Sequence, residues 1–171
     1  MPIIVTTSDF DNGFYGIALN NETTALLQSY IDRYEATYIR KLFGVTMGND
    51  FIADKSNPTQ DPIYVVLEDA FQEEYYGCNY ESLGMADLLT ALIFYHYVSD
   101  NQSTITQSGV ARKLVETANV TSPQDAYRYA EKKWNEAIST WDAIQLFINE
   151  NESDYPDFNG EKINPKFSPL I

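Results

Sequence analysis

Ser82–Ser99 reads SLGMADLLTALIFYHYVS, and its apolar residues fall on every side of a helical wheel. Leu83, Met85, Leu88, Leu89, Leu92, Ile93, Phe94, Tyr95 and Tyr97 cannot all face one neighbour. At least two other helices, or another chain, must therefore surround this segment. A bilayer span needs about 20 predominantly apolar residues. This stretch is shorter and carries Asp87 and His96, so it reads as the buried central helix of a water-soluble body.

C-terminal to it, NQSTITQSGVARKLVETANVTS has no helical period in its first half. A loop of this length (101–121) inside a compact domain is commonly functional or disordered, and its place between the two most apolar helices favours function. The last helix starts at Ser122-Pro123-Gln124-Asp125, with Ser122 as N-cap, Pro123 at the first helical position and Asp125 complementing the helix dipole. It runs to about Asn149. Tyr127, Ala130, Trp134, Ile138, Trp141, Ile144 and Ile148 form one stripe, in which the two tryptophans read as core anchors.

N-terminal to the central helix, Ile63, Leu67, Ala70, Phe71 and Tyr75 fit a short helix opened by Asp61-Pro62, although Val65-Val66 leave a strand open. Val45–Pro62 concentrates Gly48, Asn49, Asp50, Asn57, Pro58 and Pro62 and reads as a long connection pinned by Phe51 and Ile52. The first helix is predicted from Glu22 to Phe43, with Asn20 or Asn21 as N-cap and Gly44 as the stop. Leu27, Ile31, Tyr34, Tyr38 and Leu42 face its core side, leaving Asp32, Arg33, Glu35 and Arg40 in solvent. The chain thus divides into an N-terminal arm (1–20), a helical domain (21–152) and an extended C-terminal tail (153–171). The class is mainly α: about four helices, with a long loop or hairpin between the last two. Phe10, Phe14 and Tyr15 in the arm either dock on a partner or cap the domain's own core. Tyr155, Phe158 and Phe167 in the tail would be wasted in solvent.

A net charge of −14 argues against wrapping nucleic acid, whose phosphates need clustered cations. The 13 tyrosines and 9 phenylalanines make interfaces plausible. One cysteine, Cys78, excludes an internal disulfide, and a single histidine excludes the usual zinc sets. The chain therefore fits a reducing cytoplasm. His96 reads as a satisfied core or interface histidine. Asp9-Phe10-Asp11-Asn12-Gly13 fails as a calcium loop, because glycine comes one position early and no glutamate closes it. Glu68, Asp69, Glu73 and Glu74 form an acidic cluster without the Glu-x-x-His motifs of di-metal helices, and read as a solvated or lumen-facing surface. No catalytic residue, metal or cofactor is expected.

Several phrases then coincide in order: YIRKLFG, DPIY, LLTALIFYHYVSD, TITQSGVARKLVETAN, RYAEKKWNEAISTWDAIQLFI and YPDFNG. Over about Asn21–Gly160 this order resembles the head-tail connector (adaptor) proteins of tailed bacteriophages, most closely the ring proteins of crAss-like phages. The resemblance implies a non-catalytic virion subunit of a dodecameric homo-oligomeric ring at the head–tail junction, assembled in the host cytoplasm. Its partners would be the portal protein and other neck or tail rings, with DNA passing through the channel unbound and no membrane involved. It places Ile105, Val110, Arg112 and Lys113 on a loop that reaches a neighbour or lines the channel. Phe10, Phe14, Tyr15, Tyr155, Phe158 and Phe167 would serve interfaces, and Glu68, Asp69, Glu73 and Glu74 are candidates to face the lumen. A small acidic helical enzyme working through carboxylates, or a monomeric helical interaction module, are the alternative readings.

Overall fold

The computed structural model describes residues 3–11, 15, 17, 19–101, 104–106, 109–111 and 123–167, with only the backbone for 104–106, 109–111 and 123–124. It is mainly helical. A 3-10 turn (Thr7–Phe10) precedes α1 (Asn21–Phe43), α2 (Val45–Asp54) and α3 (Pro62–Glu68). A hairpin of β1 (Phe71–Tyr75) and β2 (Cys78–Ser82) leads into α4 (Met85–Asn101). The short strands β3 (Thr104–Thr106) and β4 (Gly109–Ala111) then precede α5 (Pro123–Glu150).

α4 is the centre, packed between α1 and α5. Met85, Leu89, Leu92 and Ile93 have no exposed surface, and Phe94, Tyr95 and Tyr97, from other sides of the helix, are also buried. Leu83 departs from the expected pattern. It precedes the helix, is 53% exposed, and its N–H donates to Thr140 Oγ1 at 3.3 Å. On α1 the predicted stripe is the buried one, except that Tyr34 is half-buried. Asn20 accepts from the Thr23 N–H at 2.9 Å as N-cap, and Gly44 ends the helix at φ +89. A β-carbon on Gly44 would come within 2.9 Å of Asn159 O, so both its conformation and its surroundings require glycine.

Val45–Asp54 is a helix, not a connection. Its breakers serve packing: Gly48 lies against the α1 backbone, where a β-carbon would meet Arg40 Cα at 2.8 Å, and Asn49 Oδ1 accepts from Arg40 Nε at 2.8 Å. Met47, Phe51 and Asp54 then form its buried side. Asp54 accepts from Asn57 Nδ2 and the Asp61 N–H, both at 3.0 Å, which shapes the loop into α3.

The short helix also ends sooner than its apolar spacing predicts. Asp69 is already extended (φ −75, ψ 159), and 71–75 pairs antiparallel with 78–82, Tyr75 facing Cys78. The strand alternative at Val65-Val66 does not hold, since both lie within α3; the strand forms instead at Phe71–Tyr75, which the helical reading includes.

Neither chain end extends away over its described residues. Val5, Phe10, Ile17 and Tyr155 belong to the same hydrophobic core as the helices. The tail caps α1, whose last carbonyls have no helical partner. The Asn159 N–H donates to Phe43 O at 3.0 Å and the Glu161 N–H to Lys41 O at 2.7 Å, while Gln145 Nε2 donates to Leu42 O at 3.0 Å. Gly160 lies so close to α1 that a β-carbon would collide with Leu42 O.

Candidate interaction surface

The N-terminal segment is held by a carboxylate. Glu35, only 2% exposed, accepts the backbone N–H groups of Ile3, Ile4 and Val5 at 2.8, 2.6 and 2.7 Å. This overturns its expected solvated position, because three converging donors replace the water that a buried carboxylate loses. Thr6 and Asp9 close a capping box, with the Thr6 N–H donating to Asp9 Oδ2 at 2.7 Å, and this turns Phe10 inward. Phe10 has no exposed surface and so cannot serve as an interface ring in this fold. Tyr15 packs edge-on to Phe94 at 5.1 Å and is half-buried. Its hydroxyl pKa is pushed far above the usual phenol range, first by burial and then by Asp87, Tyr129 and Glu136. Tyr15, Asp87, Lys133 and Glu136 border a cleft of about 250 Å³ between α4 and α5. Phe14 lies outside the described residues.

The single histidine is a packed one. His96 stacks on Tyr34 at 4.0 Å, and its Nε2 lies 2.6 Å from Tyr38 OH. Burial is the largest influence lowering the imidazole pKa and also raises that of the Tyr38 phenol. A neutral ring and a protonated phenol therefore share this hydrogen bond.

Tyr155 is buried and donates to Ile63 O at 2.9 Å, which removes it from the set of free aromatics. Phe158 is half-buried against the core. Trp134 and Trp141 donate their indole N–H groups to Asn164 O at 2.9 Å and Glu161 O at 3.0 Å, binding the tail along α5. Asn135 completes the tie with two hydrogen bonds to the Lys166 backbone, each 2.9 Å. Beyond these contacts Phe167 stands 81% exposed.

The acidic residues do not form one helical face. Glu68 ends α3 and binds Lys55 at 2.6 Å, Asp69 caps that helix, and Glu73 and Glu74 lie exposed on β1. Ile105 and Val110 sit directly opposite each other in the β3–β4 pair, and Arg112 and Lys113 lie outside the described residues. Sequence reasoning did not find a groove of about 590 Å³ bordered by Arg128, Lys132, Asn135, Lys166 and Phe167. The clustering of Arg128, Lys132 and Lys133 in an acidic chain was the available signal.

Among the described residues no group of three or more His, Cys, Asp or Glu side chains could hold a metal, and no helix is long and apolar enough to cross a membrane. Fold and surface together define a small, mainly helical protein with β-hairpin appendages. Residues 47–168 match the family of unknown function DUF6712, and the chain belongs to that family. No curated protein and no solved structure matches it.

Proposed function

We propose that this chain is a virion structural protein, a subunit of a head–tail connector ring that joins the portal to the tail and continues the DNA channel. Beside the ordered run of connector-like segments, the observation carrying this reading is the β3–β4 ribbon. It is a two-stranded sheet of its own, inserted between the two helices that make most of the core. An isolated two-stranded hairpin is at best marginally stable in water, so such a ribbon gains its stability from a surface to lie on. A neighbouring subunit or a portal ring supplies one. Repulsion between the net charge of −14 and DNA suits a channel through which DNA must slide.

Electron microscopy and native mass spectrometry of the purified chain, alone and with portal protein, test the proposal. Closed particles of defined rotational symmetry are expected. A protein that stays single under both conditions and is absent from virions refutes it.

The docking of both chain ends on the subunit's own body favours a second reading, a monomeric helical module that binds one partner protein. A stable one-to-one complex with a host or phage protein, without rings, would establish that alternative.

A further inference from the structure

The geometry points to the groove between the N-terminal half of α5 and the end of the C-terminal tail as the seat for the β1–β2 hairpin of a second copy of this chain. The inference rests on the self-assembly reading and names the two patches that meet.

The groove is cationic on an acidic protein. Arg128, Lys132 and Lys166 border it, three of the chain's 11 lysines and arginines. Its carboxylates are already engaged or hidden. Glu136 pairs with Lys132 at 3.6 Å and Lys133 at 2.8 Å, and Glu131 is only 8% exposed. Arg128 makes no ion pair among the described residues. The Lys166 ammonium rests over the Trp134 ring at 4.9 Å. Phe167 adds an open phenyl ring, giving the apolar centre and polar rim typical of an interface.

The hairpin carries the complement. Phe71–Ser82 contains no lysine or arginine, and Glu73, Glu74 and Glu81 are exposed on its strands. At its tip Tyr76 is held at φ +48 with 89% of its surface exposed, followed by Gly77 at φ +75. A two-residue loop of this kind favours Asn, Asp or Gly at both positions, and the left-handed conformation is unfavourable for an L-residue with a β-carbon. The chain thus holds an aromatic ring in solvent at a strained position, as a docking anchor requires.

One copy cannot bring the tip of its own hairpin to its own groove. Glu81, at the base of the hairpin, borders a cleft with Glu136 and Ser139 beside the groove, whereas Glu73, Glu74 and Tyr75 border one with Phe147 and Glu150 toward the far end of α5. Lys132 is 18 residues before Glu150 on the same helix, roughly 27 Å at 1.5 Å per residue. The contact therefore joins different patches of two copies, head to tail, and such a contact closes into a ring when its rotation allows.

Charge exchange tests the pairing. The full chain carrying Arg128→Glu with Lys132→Glu, and the full chain carrying Glu73→Lys with Glu74→Lys, change only exposed side chains and are checked for folding by circular dichroism. In analytical ultracentrifugation the wild type is expected to self-associate, each double variant to sediment as a monomer, and their equimolar mixture to regain the wild-type mass. Tyr76→Asn is expected to preserve or raise the melting temperature while weakening association at least tenfold. If the variants assemble like the wild type, or their mixture remains monomeric, the pairing is wrong while the ring reading stands. A wild type that stays single at millimolar concentration, even with portal protein, overturns both.

Discussion

Glu35 controls residues some thirty positions away in the chain. Glu35→Ala leaves the N–H groups of Ile3, Ile4 and Val5 without their acceptor, and a loss of about 3 kcal/mol is expected from unsatisfied donors of this kind. Urea denaturation gives that loss, and hydrogen exchange at the N-terminus should accelerate with it. Asp32→Ala on the exposed side of the same helix should change stability by less than about 0.5 kcal/mol. Helical periodicity alone puts both acids outside, and Glu35 turns inward only because the folded arm brings donors to meet it. His96 makes a pH prediction. Burial lowers its folded pKa, opposed by Asp100 and assisted by Lys166 and Arg33, so the unfolded chain takes up the proton first as pH falls below the ordinary value of 6.5. Stability should be fully present above pH 6.5 and decline as pH falls toward the folded pKa. In His96→Phe the contribution of this residue to the slope should vanish; an unchanged slope between pH 7 and 5 would assign the effect to other groups.

α5 is the element on which both the core and the proposed surface depend. Trp134 is 5% exposed, packs against Tyr38 and Tyr95, and holds the tail through Asn164. Trp134→Ala should therefore cost about 3 to 5 kcal/mol, read as a shifted urea midpoint. Trp134→Phe should retain most of the packing and lose chiefly the hydrogen bond. The apolar stripe of this helix was legible because its period persists over many turns. α2 was not, because Gly48 and Asn49 break helices in isolation and acquire their packing role only when Arg40 lies beside them. The β1–β2 hairpin was not legible: the β-branched pair Val65-Val66 that left a strand open lies in α3, and FQEEY carries no β-branched residue and no strict alternation to end the helical reading at Glu68.

At the scale of the whole molecule, the tail is a structural strap before it is anything else. A chain ending at Gly160 removes the acceptors of both indole N–H groups, at Glu161 and Asn164, and should lose about 2 to 4 kcal/mol of stability. Thermal unfolding of the truncated chain measures this. An undiminished melting temperature would show that the strap contributes nothing to the fold. Any effect of the truncation on assembly must be judged against this loss, whereas the surface charge variants leave the strap in place. Tyr155 and Phe10 are spent on the chain's own core, so the aromatic surface left exposed is much smaller than the composition implies. Tyr76 at 89% and Phe167 at 81% are the most exposed rings among the described residues.

By itself the sequence determined the mainly helical class, the burial of the central helix, the N-cap and glycine stop of α1, and the two tryptophan anchors of α5. Each follows from local chemistry or from a period repeated along one element. Tertiary structure alone decided that Glu35 is buried, that the tail seals the end of α1, and that cations from α5 and the tail share one groove. Those outcomes depend on groups distant in sequence meeting in space, and a carboxylate, a carbonyl or an indole N–H selects its partner only when the fold delivers one.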